Sequence, residues 1–302
     1  MQPRVVAFGE ALWDLLPEGR RLGGAPLNFV YRCAALGCDA QMISALGADK
    51  LGRLARKQIR SLGLDDSYIY YVPGAPTGTV EVYFDEARNP DYTIVPDVAY
   101  DRVPLTEEMV SLVAGAQAFC FGTLAQRDPR SRETLTRLID SFSGDHLLLD
   151  INLRKACYTE ESVRWSIERA TILKLNEDEA RYVAELYGID ASDLGDLGRA
   201  LLDKGSLTHC VITLGPAGAL VATDGEAVEL PGHAVELADP LGAGDAFSAA
   251  FITALLEGRG PIEAGRLGNR LGAIVAGQDG ATEPIPKEFL AEFLQNYGEV
   301  RE

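Results

Sequence analysis

The chain has 302 residues, with 47% hydrophobic and 24% charged side chains, enough for one large α/β domain or a domain with an insertion. A formal net charge of −17 excludes nucleic acid and anionic membranes as natural partners, and no apolar run is long enough for a membrane span. The same charge repels nucleotides, so any nucleotide site must be locally positive or metal-assisted.

The opening Met1-Gln2-Pro3-Arg4 leads directly into Val5-Val6-Ala7-Phe8, too short for the apolar region of a signal peptide and without its cleavage site. Strand-like runs lie at 4–9, 40–46, 117–122, 146–150, 171–175 and 209–213. Helical patterns fall between them, near 26–37, 50–62, 130–142, 160–170, 176–187 and 194–204. Such alternation predicts parallel strands joined by crossover helices, hence a layered α/β sheet. A hairpin is expected with strands near 218–223 and 226–230 around Asp224-Gly225, and 241–296 reads as mostly helical. The five cysteines (33, 38, 120, 157 and 210) are odd in number and form no CxxC pair, so they read as reduced packing residues of a cytoplasmic protein. The three histidines make no metal-ligand spacing.

Two regions, 10–25 and roughly 68–97, carry no helix signal. Thr77–Phe84 alternates cleanly, with Val80, Val82 and Phe84 facing one way, and Asp91–Val95 reads as its returning partner. A small inserted sheet cannot bury a face by itself, so it is expected to cover a site, pack on a second subunit, or both.

The most informative stretch is Asp239-Pro240-Leu241-Gly242-Ala243-Gly244-Asp245, which opens a helix marked by Phe247, Phe251, Leu255 and Leu256. Gly242, Ala243 and Gly244 let backbone N–H groups approach an anion at the positive helix end. A carboxylate suits that place as a base aimed at a neighbouring hydroxyl, with the backbone holding a phosphoryl group. It also suits a plain glycine turn in which Asp245 favours the helix dipole.

A second constellation, Gly23-Gly24-Ala25-Pro26-Leu27-Asn28, enters a helix with Pro26 in its first turn and Asn28 offering both donor and acceptor. Asp14, if 10–16 is extended, shares a face with Leu12 and Leu16; a sugar hydroxyl pair would partner it, and so would water at an edge. Asn176 and Glu179 form a capping-box-like pair. Thr213-Leu214-Gly215-Pro216-Ala217-Gly218 is a strand end followed by a turn.

In this order the segments resemble the ribokinase-like (PfkB-type) carbohydrate kinases over essentially the whole chain. Gly23–Asn28 looks like the sugar-side motif, Asn176-x-x-Glu179 like the magnesium–phosphate motif, and Asp239–Asp245 like the signature that holds the catalytic aspartate. The GEALWDLLP opening and Asp150-Ile151-Asn152-Leu153-Arg154 look most like the fructokinase and 2-keto-3-deoxygluconate kinase side of the family. Pro240 departs from the pattern, standing where many members carry Thr.

The resemblance implies one domain of three layers, a mostly parallel sheet flanked by helices, with a β lid inserted from about 10–25 and 68–97. It implies ATP-dependent phosphoryl transfer to a primary hydroxyl of a small sugar, fructose first. Asp245 would take the proton, and Gly242, Ala243 and Gly244 would stabilise the transferred group. Asp14, Gly24, Asn28 and Arg154 would face the substrate, with Arg154 assigned to phosphate. Asn176, Thr213, Gly215, Gly218 and Asn269 would line the ATP side, and Glu179 would organise Mg²⁺ through water. K⁺ could sit between the Asp239–Leu241 loop and 276–284, and the lid could serve a homodimer. Two other classes fit poorly: Phe8-Gly9-Glu10-Ala11 is not a dinucleotide fingerprint, and a non-catalytic sugar-binding relative should have lost Asp245 or the GAG turn.

Overall fold

The structure is a computed structural model that describes residues 2–16, 19–84, 90–154 and 156–295. Its frame is a nine-stranded sheet. The strands are β1 (Arg4–Phe8), β4 (Asp39–Gly47), β5 (Ile69–Val72), β8 (Ala118–Phe121), β9 (His146–Asp150), β10 (Ile172–Asn176), β11 (His209–Thr213), β12 (Gly218–Ala222) and β13 (Ala227–Pro231), in the spatial order β13-β12-β11-β10-β9-β8-β1-β4-β5. All pairings are parallel except those of β12 with its neighbours β11 and β13.

Period-two alternation within β1 shows why the sheet is covered on both faces. Val6 and Phe8 join one buried cluster and Val5 and Ala7 the other. On the first face pack α3 (Glu107–Ala114), α4 (Pro129–Ser141), α5 (Glu160–Arg169), α6 (Glu177–Tyr187) and α7 (Leu194–Leu202). On the second lie α1 (Ala25–Ala35), α2 (Lys50–Ser61), α8 (Ala243–Leu256), α9 (Pro261–Ala276) and α10 (Lys287–Gln295). This is the three-layer, mostly parallel α/β architecture expected from the sequence. All five cysteines are buried and free, as packing residues are. The sequence reading missed α3, whose eight residues are too few to show a sustained period, although Thr106 caps it through the Met109 N–H.

A second sheet of four strands, in the order β3-β2-β6-β7, is made of β2 (Leu12–Leu16), β3 (Gly19–Gly23), β6 (Gly78–Phe84) and β7 (Pro90–Ile94). It draws on 12–23 and 78–94, a narrower insertion than expected, because 69–72 extends the main sheet as β5 beside β4. Val80 is buried as its alternation requires; the side chains of Val82 and Phe84 and the whole of 85–89 lie outside the described residues. Asp49, at the N-cap of α2, ties the sheet down: its carboxylate accepts from Gly52 N, Thr77 N and Thr77 Oγ1. Trp13 of β2 donates to the Leu51 carbonyl at 3.1 Å.

Candidate active site

The site gathers at the carboxyl ends of the parallel strands, where α8 begins. Gly242 caps that helix with φ 78°, a conformation that favours glycine, and supplies no side chain to satisfy the first-turn N–H groups. Among the described residues the N–H groups of Gly242 and Gly244 find no hydrogen-bond partner, whereas Ala243 N donates to Pro240 O at 3.3 Å. The sequence assigned all three residues to the anion; the Ala243 amide is instead spent closing the turn. Two open amides and the helix dipole remain to meet negative charge.

Asp245 stands one residue further on. Its carboxylate accepts from Asn28 Nδ2 at 2.8 Å, so α1 and α8 present the two predicted residues to each other. Burial and then the neighbouring Asp150 push its pKa up to about 6, against Asn28, Lys174 and Arg154, which favour the charged form. A carboxylate poised there is deprotonated at neutral pH yet basic enough to share a proton in a transition state.

Beneath this lies a network that the sequence reading did not single out. Lys174 Nζ meets Asp150 at 2.9 and 3.1 Å, and Ser248 Oγ donates to the same carboxylate at 2.8 Å. A Cβ on Gly244 would come within 3.0 Å of Lys174 Nζ, so the ammonium lies directly behind the glycine turn. Burial alone would lower the Lys174 pKa, but Asp150 and Glu179 outweigh it and hold the side chain charged. In a protein of net charge −17 this is the local positive charge that an anion site demands. The available signal was a lysine inside the apolar strand Thr171-Ile-Leu-Lys-Leu, a costly burial unless paired.

On one side of Asp245 lies a polar region. Asp14 of β2 stands in the fields of Arg154, Arg21 and Asp239, and Gly24 lies between β3 and α1. Gly24 has φ 121°, and a Cβ there would fall 2.3 Å from Glu10 O, so any larger residue would push the loop after β1 away. Burial raises the Asp14 pKa to about 6 and that of Glu10 to about 7. Glu10, also missed by the sequence reading, accepts from Ala25 N at 3.2 Å and lines a narrow cavity of about 30 Å³ with Thr123, Asp150, Asn152 and Arg154. Asn152 is held at φ 43°, a strained backbone of the kind found at functional sites. Arg154 is exposed and lines this cavity; its field reaches Glu10, Asp14 and Asp245.

On the other side a larger cavity, about 600 Å³, is lined by Thr213, Gly215, Gly218, Gly244 and Asn269, with Val235 and Leu237 at 45% and 65% exposure. Apolar side chains left this open, next to backbone amides, suit a flat heterocycle joined to phosphates. Asn269 donates to Leu230 O and Pro231 O, bracing β13 along the cavity wall. Asn176 pairs in register with Thr213 but does not line this cavity: it caps α6, accepting from Glu179 N at 2.9 Å. Glu179 returns a bond to Asn176 N and accepts a second from Leu153 N, both at 2.8 Å, so it is a buried brace of the site floor.

A backbone anion cradle with a raised carboxylate between a polar pocket and a nucleotide-sized cavity is the site of an ATP-dependent phosphotransferase acting on an alcohol. Residues 18–288 match the model of the pfkB family carbohydrate kinases, and the chain belongs to that family. The uncharacterized sugar kinase PH1459 of Pyrococcus horikoshii is 29% identical over 311 residues, covering 96% of both chains. Its crystal structure in complex with ATP superposes with a TM-score of 0.81 over 95% of this chain and 97% of that one, at 27% identity. A fructokinase of Salmonella typhimurium is 26% identical over 304 residues (95% and 97% covered), and a 2-dehydro-3-deoxygalactonokinase of Haloferax volcanii 29% over 288 (87% of each).

Proposed function

We propose that this sugar kinase transfers the γ-phosphoryl group of ATP to a primary hydroxyl of a small neutral sugar, with fructose the preferred acceptor. The observation that carries this reading is the lining of the acceptor side, where the carboxyl groups of Glu10, Asp14 and Asp245 stand with the Asn28 amide, and the guanidinium fields of Arg154 and Arg21 reach them. Carboxyl and amide groups pair with hydroxyls, and the carboxylates of Asp14 and Asp245, ionised at neutral pH, repel an acid sugar. Asp245 takes the hydroxyl proton, Asn28 orients it, and the Gly242 and Gly244 amides with Lys174 behind them stabilise the moving charge. Asp14 and Gly24 hold the sugar, and the cavity from Thr213 to Asn269 holds the nucleotide.

Mg²⁺ would supply charge neutralisation to the phosphates. Among the described residues no cluster of three or more acidic, His or Cys side chains is arranged to hold a metal. Both Glu179 oxygens are engaged by backbone amides, so it would meet such an ion through water.

Arg154 favours a second reading. It lines the acceptor cavity and not the nucleotide cavity, so its fork is available to a sugar-acid carboxylate rather than to ATP. The test is kcat/KM for fructose against 2-keto-3-deoxygluconate, in the wild type and in Arg154→Ala. A wild-type preference for the acid sugar that Arg154→Ala abolishes would overturn the fructose assignment. The small sheet is the lid over this acceptor side and the surface on which a second copy packs; a monomeric mass in solution would remove the dimer.

A further inference from the structure

We infer that two arginines, Arg21 and Arg32, take the place of a monovalent cation in bracing the anion-holding turn, so that the kinase needs no K⁺. The family resemblance put that ion between the Asp239–Leu241 loop and residues 276–284. Several oxygens at this place are already engaged, whereas Gln278 Oε1 is buried without a partner among the described residues. Asp239 Oδ2 accepts from Arg21 at 3.0 Å and its Oδ1 from Leu241 N at 2.9 Å. Pro240 O accepts from Ala243 N, and Ala276 O from both Ala238 N and Asp239 N. Ala281 O and Glu283 O accept from the buried Arg32 guanidinium at 2.7 and 2.6 Å. Pro284 O accepts from Gln278 Nε2 at 2.9 Å.

Arg21 comes from β3 of the small sheet and also reaches Asp279 at 3.0 Å, so one guanidinium spans both loops. Arg32 comes from α1, the helix that carries Asn28. Exposed ion pairs of the Arg21 kind add little to global stability. Their consequence here is local: they hold the loops on either side of Gly242, where an added Cβ would fall 2.5 Å from Ala281 Cβ. A free cation entering the same place would meet a fixed positive charge and compete for oxygens already bonded. Such a fixed cation also couples the small sheet to the catalytic turn, which a diffusible ion would not do.

The inference rests on the kinase reaction and not on which sugar is used. The test compares KCl, NaCl and tetramethylammonium chloride at constant ionic strength on the whole chain. It reads kcat/KM with ATP and the sugar it phosphorylates, and the melting midpoint of the unliganded protein. The wild type is expected to show equal turnover in the three salts and no K⁺-specific rise in melting midpoint. Arg21→Gln, which keeps a polar side chain without the charge, is expected to lose about tenfold in kcat/KM in tetramethylammonium, the size of one charge-assisted contact. Several-fold activation of the wild type by K⁺, or a K⁺-specific rise in its melting midpoint, overturns the inference. So does an Arg21→Gln variant that turns over like the wild type in all three salts. The melting measurement needs no substrate, so an error in the sugar assignment leaves this test standing.

Discussion

Asp245 shows how far a single carboxylate is defined by its neighbours. Burial and Asp150 hold its pKa near 6, and Asn28 works against them through one 2.8 Å hydrogen bond. Asp245→Asn keeps the shape and removes the base. Its kcat is expected to fall about 10²- to 10⁴-fold with ATP binding retained, as loss of general-base catalysis predicts. Near-normal turnover in that variant would remove Asp245 from the mechanism. The wild-type kcat/KM should rise with pH through about 6 as the base ionises. Asn28→Ala withdraws the donor that favours the charged form, so this acid limb is expected to move to higher pH. A limb that stays in place, or moves down, would assign it to another group; Glu10 and Asp14, raised by burial to about 7 and about 6, are the alternatives.

At the scale of elements, the parts legible in the sequence were those whose signal is local. Strand–helix alternation gave the parallel sheet, and Gly242-Ala243-Gly244-Asp245 gave the start of α8, because period and glycine conformation need no tertiary information. The capping box of Asn176 and Glu179 was legible too, and its bonds are present. What escaped depends on contacts distant in sequence. Lys174 reads as an anomaly in β10 until Asp150 of β9 and Ser248 of α8 are brought to it. Arg21 reads as a surface residue until 218 residues of chain return Asp239 to its side. The edge of the small sheet was misjudged at 69–72 because a short apolar run carries no mark of which sheet it joins. The lid itself is tested by hydrogen exchange. If β6 closes over the sugar, as lids that exclude water do, exchange across 78–84 should slow when sugar binds. Unchanged exchange with saturating sugar would leave these strands as packing or dimer surface.

The whole molecule combines a net charge of −17 with an active site whose carboxylates resist ionisation, and both features make the unliganded fold sensitive to pH in one direction. Folded Glu10 keeps its proton up to about pH 7, whereas the unfolded side chain gives it up near 4.5. The folded state therefore binds more protons in that window. Its stabilising effect is fully present below 4.5 and is lost as pH rises through 7, on the order of 3 kcal/mol for this buried group. Asp14 and Asp245, raised from 3.8 to about 6, add the same sign over a lower window. Asp39, Asp49 and Asp66 are held low by their hydrogen-bond donors despite some burial, and they act oppositely. They are ionised in both states above about pH 5, so they leave the window from 5 to 8 to the raised groups. The denaturant midpoint of the unliganded protein is expected to fall between pH 5 and pH 8, where many proteins are flat. Glu10→Gln can still accept from Ala25 N but cannot ionise, and it should flatten much of that fall. A midpoint that rises with pH in the wild type, or an unchanged slope in Glu10→Gln, would show that Glu10 is ionised in the folded state. The acceptor side would then carry one more negative charge at neutral pH and repel an acid sugar more strongly.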